Sequence, residues 1–168
     1  MKISNHVMML MILSMTAAIA GVAASAGLNP CTVYANHEFA ANLTGQEEVP
    51  PVDTQATGHA ILVPILPSNQ TIQYFVNVTG VQGATQGHIH SGSQGENGPI
   101  VVTLFKFDSP QNTVFEKGNI TASNLEGPMQ GKTIPDLITA MKNGSTYVNV
   151  HTEQNPNGEA RGQLVDIP

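Results

Sequence analysis

Seven residues, Ile72 to Val78 (IQYFVNV), alternate without a break. Ile72, Tyr74, Val76 and Val78 fall on one side, and Gln73, Phe75 and Asn77 on the other. A period of two belongs to an extended strand with one face buried and one face in water. Short β-branched runs of the same kind recur along the chain, separated by Gly, Pro, Asn and Thr. They predict strands over 38–43, 58–66, 71–78, 86–90, 100–107, 113–121, 146–151 and 160–165. A chain built this way is all-β, and its antiparallel strands must close a core as a Greek-key β-sandwich or barrel. One segment departs from the pattern. TIPDLITAMKNG, from Thr133, has Pro135 near the start, Leu137, Ile138 and Met141 on one stripe, and Gly144 just past the end. Those signals predict one short helix near 134–143.

Ahead of the strands, Lys2 precedes an apolar run from Val7 to Ala24, followed by small residues. This is the pattern of an export signal over 1–35, with cleavage after Ala35 or after Ala26. Left uncleaved, a run of about 18 apolar residues also suffices to anchor a chain in a bilayer. The expected location is therefore outside the cytoplasm: extracellular, cell-surface or in a periplasm-like space. The remaining residues, 36–168, support one core rather than two. They hold 5 basic and 12 acidic residues, a net charge of −7 with histidine neutral. That excludes a basic surface for nucleic acid or an anionic membrane. Cys31 is the only cysteine and precedes the domain, so no internal disulfide is available. Sequons begin at Asn42, Asn69, Asn77, Asn119 and Asn143, each a candidate glycan acceptor in an exported chain.

Two histidines stand one residue apart in GHIHSGSQGENGPIVV, Gly87 to Val102. On a strand, side chains at i and i+2 share a face, with Cα atoms about 6.5 to 7 Å apart. His88 and His90 then face one way and Ile89 the other. In YVNVH, Val148 and Val150 oppose Tyr147, Asn149 and His151 by the same rule. If Ile89, Val148 and Val150 enter the core, then His88, His90 and His151 lie together on the outer surface of neighbouring strands. Three neutral imidazoles with an open position suit copper or zinc, and the affinity order favours Cu(II). His59 is a candidate fourth ligand. His37 lies beside the new amino terminus if cleavage follows Ala35. Proton competition near the ordinary histidine pKa would loosen such a metal below about pH 6.

Arg161, in NPNGEARGQL, is the only arginine of the chain. It has two readings: an exposed ion pair with Glu159, Glu153 or Glu96, which contributes little, or an anion guide beside the histidines. Nucleophilic and nucleotide chemistry lack their signatures, since there is no G-x-S-x-G elbow, P-loop or dinucleotide fingerprint. Glu47 and Glu48, as strand neighbours, would face opposite ways and so make no acid/base couple.

LTGQEEVPPV (Leu43–Val52), GHIHSGSQGENGPIVV and YVNVHTEQNPNGEARGQL (Tyr147–Leu164), in this order, resemble the CHRD domain of chordin and of many microbial exported proteins. The resemblance implies a single CHRD β-sandwich domain over 36–168, superoxide-dismutase-like or immunoglobulin-like, of a kind found as secreted or surface modules. A more distant resemblance joins GVQGATQGHIHSGS, VNVH and GEARG to the copper-binding strands of the Cu,Zn superoxide dismutases. It implies copper-ligand roles for His88, His90 and His151 and a steering role for Arg161. The departures are the absence of a histidine cluster in 91–99, of a zinc site and of a disulfide. The expected function is an exported protein that binds, stores or delivers copper through a surface tri-histidine site. The alternatives are a copper-only dismutase-like enzyme, with Arg161 in the catalytic role, and a metal-free module for an extracellular protein partner whose histidines merely fix the 91–99 loop.

Overall fold

The computed structural model describes residues 38–65 and 70–167. The leader with Cys31, His37, Asn69 and the end of the strand predicted to reach Leu66 lie outside them. The chain runs β1 (Glu38–Thr44), β2 (Thr57–Pro64), β3 (Ile72–Thr79), β4 (Ala84–Ser91), β5 (Ile100–Gln111), β6 (Val114–Ile120), α1 (Ile134–Lys142), β7 (Thr146–Thr152), β8 (Ala160–Gln163) and β9 (Val165–Ile167). The strands pair in the order β5-β4-β7-β8-β1-β2-β3-β6, every pairing is antiparallel, and β9 adds to β1. The two ends of that order, β5 and β6, are consecutive in sequence. The sheet thus curls into a nearly closed barrel, the all-β architecture expected, with the single helix after β6.

The alternation in β3 does what its period demands. Ile72, Tyr74, Val76 and Val78 are buried while Gln73, Phe75, Asn77 and Thr79 are exposed. Phe39 and Leu43 of β1, Ala60 and Leu62 of β2, Ile89 of β4 and Val148 and Val150 of β7 fill the same core. Full burial of a side chain the size of Ile89 contributes about 1.5–3 kcal/mol. The helix starts on a capping box in which Thr133 and Asp136 satisfy each other's backbone N–H groups. It buries Ile134, Leu137, Ile138 and Met141, and Gly144 takes the left-handed conformation (φ 64°) that ends it.

One predicted strand divides. Within 160–165 the chain changes partner at Leu164, whose side chain is fully buried and whose N–H bonds to the Thr146 carbonyl. Residues before it pair with β7 and, at Arg161, with β1, whereas residues after it pair with β1 alone. Asn42, Asn77, Asn119 and Asn143 are all exposed, so four sequons present their asparagines to solvent. Among the described residues no helix is long and apolar enough to cross a membrane.

Candidate metal centre

Strands β4 and β7 are direct neighbours, with Ile89 opposite Val148, His88 opposite Asn149 and His90 opposite Tyr147. The valines and Ile89 point into the barrel, which sends the intervening side chains to the other face. There the rings of His88 and His151 stand 4.8 Å apart, those of His88 and His90 5.6 Å, and those of His90 and His151 5.7 Å. One nitrogen from each of the three falls within 4.8 Å of the other two.

The face points away from the core, yet it is not the open surface expected. His88, His90 and His151 are 3 %, 8 % and 5 % exposed. The segment between β4 and β5 folds back over them. His90 Nδ1 bonds the Gly98 carbonyl at 2.9 Å, and the Gly98 N–H reaches the Tyr147 hydroxyl at 3.1 Å. A β-carbon at Gly98 would stand 1.6 Å from the Ser91 carbonyl oxygen, so only glycine permits this fold-back. From the other side the β7–β8 connection closes in, where His151 Nδ1 bonds the Pro156 carbonyl at 3.0 Å.

These two bonds fix the tautomers. A carbonyl only accepts, so Nδ1 carries the proton in His90 and His151, and each Nε2 keeps its lone pair. Both Nε2 atoms are buried without a hydrogen-bond partner, and so is His88 Nδ1. Burial also holds the rings neutral. It pushes His88 down to about 3, helped by the neighbouring His151, His90 and Lys106. It pushes His151 down to about 4, with His90 adding and the Pro156 bond opposing. His90 is lowered too, again by burial first. Two lone pairs set by ring N–H groups anchored on backbone carbonyls, together with the unpartnered Nδ1 of His88 beside them, form a donor set able to hold a metal ion.

His59 does not join them. It sits exposed on β2, opposite Asn42 of β1, and its Nδ1 lies 2.9 Å from Asn42 Oδ1. Strands β8 and β1 separate β2 from β7.

Arg161 is not the exposed ion-pair partner expected. It is 1 % exposed and opposite Asn149 on β8. Its guanidinium donates to Asn97 Oδ1 (3.1 Å) and to the backbone carbonyls of Ser93 (3.1 Å) and Glu96 (2.8 Å). The guanidinium carbon also lies 3.5 Å above the centre of the Tyr147 ring, whose other neighbour in the stack is His90, at 4.9 Å and 12°. Glu96 therefore meets Arg161 through its backbone, not through an ion pair. The arginine pins the covering loop onto the histidines. Arg161→Lys keeps the charge but loses the planar fork. Its expected result is a loss of about 2 kcal/mol, read as a lower denaturant midpoint at constant slope; an unchanged midpoint would mean that the loop holds without it.

Glu48 is the residue that sequence reasoning passed over. Glu47 closes a 3-10 turn (Gly45–Glu47), not a strand, and Glu48 after it turns inward to 5 % exposure. Its Oε2 accepts from Asn149 Nδ2 at 3.3 Å. Burial raises its pKa to about 7, against the opposing effects of Asn149 and Arg161 and with a small contribution from Glu159. The acid next in rank of burial, Glu159, is instead satisfied by Thr54, Thr152 and Asn155. Tyr147, Asn149 and Asn97 also belong to the site, and the alternation of YVNVH already placed the first two on the histidine face.

The family follows from the chain as a whole. Residues 39–164 match the CHRD domain, so the chain belongs to the CHRD domain family. It is also similar to chordin of Xenopus laevis, 29 % identical over 130 residues, which cover 73 % of this chain and 12 % of chordin. The chain thus spans about an eighth of that relative's length. No solved structure matches it.

Proposed function

We propose that this CHRD domain binds one copper ion through His88 Nδ1, His90 Nε2 and His151 Nε2, and works outside the cytoplasm in copper binding, storage or delivery. The observation that carries the reading is the set of three buried imidazole nitrogens, each without a hydrogen-bond partner and all within 4.8 Å of one another. A buried acceptor left unpaired costs about 1–3 kcal/mol. Three together, on rings already held neutral and two of them fixed in one tautomer, are accounted for by a cation that they share. Two nitrogens bound to one ion at the usual distance stand at most about 4.2 Å apart, so small ring movements complete the set. Nitrogen donors of this kind bind Cu(II) ahead of zinc.

The extracellular setting rests on the leader and is supported by membership of the CHRD family and by the likeness to chordin. Binding is favoured over dismutase-like turnover because the guanidinium of Arg161 is enclosed and committed to the covering loop. One observation favours a metal-free interaction module with an extracellular protein partner: His90 does hold the loop, through Gly98. That bond uses Nδ1 alone and leaves Nε2 unexplained.

Copper titration of the purified chain, followed by electron paramagnetic resonance, is the test. The expected result is a nitrogen-rich type 2 signal that saturates at one ion per chain. A spectrum of free copper throughout would give the interaction module the stronger case.

A further inference from the structure

A cleft of about 240 Å³ lies at the β7–β8 connection, whose Pro156 carbonyl also anchors His151. Val49, Pro50, Pro51 and Val52 line it on one side, and the segment from Gln154 to Gly158 on the other. Glu48 also lines it, 5 % exposed, with one carboxylate oxygen, Oε1, lacking any hydrogen-bond partner among the described residues. Gly158 leaves room for the carboxylate, whose Oε1 is itself enclosed behind the cleft wall. Its φ is 140°, and a β-carbon there would stand 2.6 Å from Glu48 Oε1 and 2.5 Å from Asn149 Nδ2.

We propose that this cleft is a binding site for a primary ammonium group, carried on the lysine side chain of a partner protein. A buried carboxylate oxygen left without a hydrogen bond asks for a positively charged donor. A guanidinium would engage both carboxylate oxygens, but Oε2 is taken by Asn149, which leaves one oxygen for a point charge. A hard divalent ion needs about six oxygen ligands and more than one carboxylate; among the described residues lining the cleft, Glu48 alone is acidic. The valine and proline walls suit the methylenes of a lysine stem, which bury along apolar surface while the head finds its charge partner. The charge of the chain, 12 acidic against 6 basic residues, draws cationic partners towards it. This inference is independent of copper.

The test is a nuclear magnetic resonance titration of the metal-free full chain at about pH 8, where both an alkylammonium and most of Glu48 are charged. The probes are N-acetyl-lysine methylamide, butylamine and 1-butanol. We expect the capped lysine and butylamine to shift the Asn149 side-chain amide and the Gly158 N–H saturably, and 1-butanol to leave them in place. Glu48→Gln, which keeps the shape and an acceptor for Asn149, should weaken the capped lysine about tenfold or more. Equal binding of 1-butanol, or of the capped lysine to Glu48→Gln, would overturn the site. Binding of butylamine but not of the capped lysine would overturn the assignment to a protein partner.

Discussion

His151→Ala removes the nitrogen-rich copper signal and lowers the affinity for copper by about a hundredfold or more. Losses of 10- to 100-fold are typical even for groups that only orient a ligand, and here a ligand itself is deleted. The structure makes the loss hard to repair. His151 brings the only donor from β7, and its Nε2 is aimed by the bond from Nδ1 to the Pro156 carbonyl. The two remaining rings come from one strand, so the ion would be held from one side. His59 cannot substitute, because it is exposed on β2 and bonded to Asn42. His59→Ala is therefore the matched control and leaves the signal as it was. Copper held equally well by the His151 variant would sink the tri-histidine reading.

Acid should destabilise the metal-free chain steeply. Unfolded, the histidines take up protons near 6.5; folded, His88 does so at about 3 and His151 at about 4, both because of burial. Between pH 6.5 and about 4 the unfolded chain binds more protons than the folded one, so stability falls as pH falls. The contribution is complete above 6.5. By pH 4 most of it is gone, a loss on the order of 5 kcal/mol for the two rings together. His90 is shifted in the same direction. Glu48, raised to about 7 by burial, takes up its proton in the folded chain over the same range and offsets part of this loss, so the net fall is a smaller share of a usual total of 5–15 kcal/mol. Urea midpoints measured at pH 7, 5.5 and 4 check it, and a flat series would show that the rings are hydrated. Copper, which binds only deprotonated imidazole, should move the fall to lower pH. If copper is bound there, its release is expected below the pH 6 that ordinary histidines would suggest, because burial lowers the same rings.

How much of this was legible in the sequence depends on where a residue sits. On strands the period of two carries the information. It placed Ile72, Tyr74, Val76 and Val78 inside, and it set His88, His90 and His151 on a common face before any partner strand was known. Their burial was not legible, because the cover is the irregular stretch 91–99, whose contacts run through backbone carbonyls of Ser93, Glu96 and Gly98. A carbonyl has no residue identity to read. Arg161 was misjudged for the same reason, since side-chain acids were the partners sought. Glu48 was missed because the strand rule was applied to a turn. His59 was misplaced because spacing along a chain does not tell which strands will be neighbours.

The pairing of β1 with β9 sets Glu38 opposite Ile167, so the first and last strands of the barrel are zipped side by side. Entry and exit of the polypeptide therefore share one pole of the domain. A unit with that layout can be threaded into a longer chain like a bead on a loop, with the flanking segments leaving together and the fold undisturbed. A likeness confined to 12 % of chordin asks nothing more of the architecture.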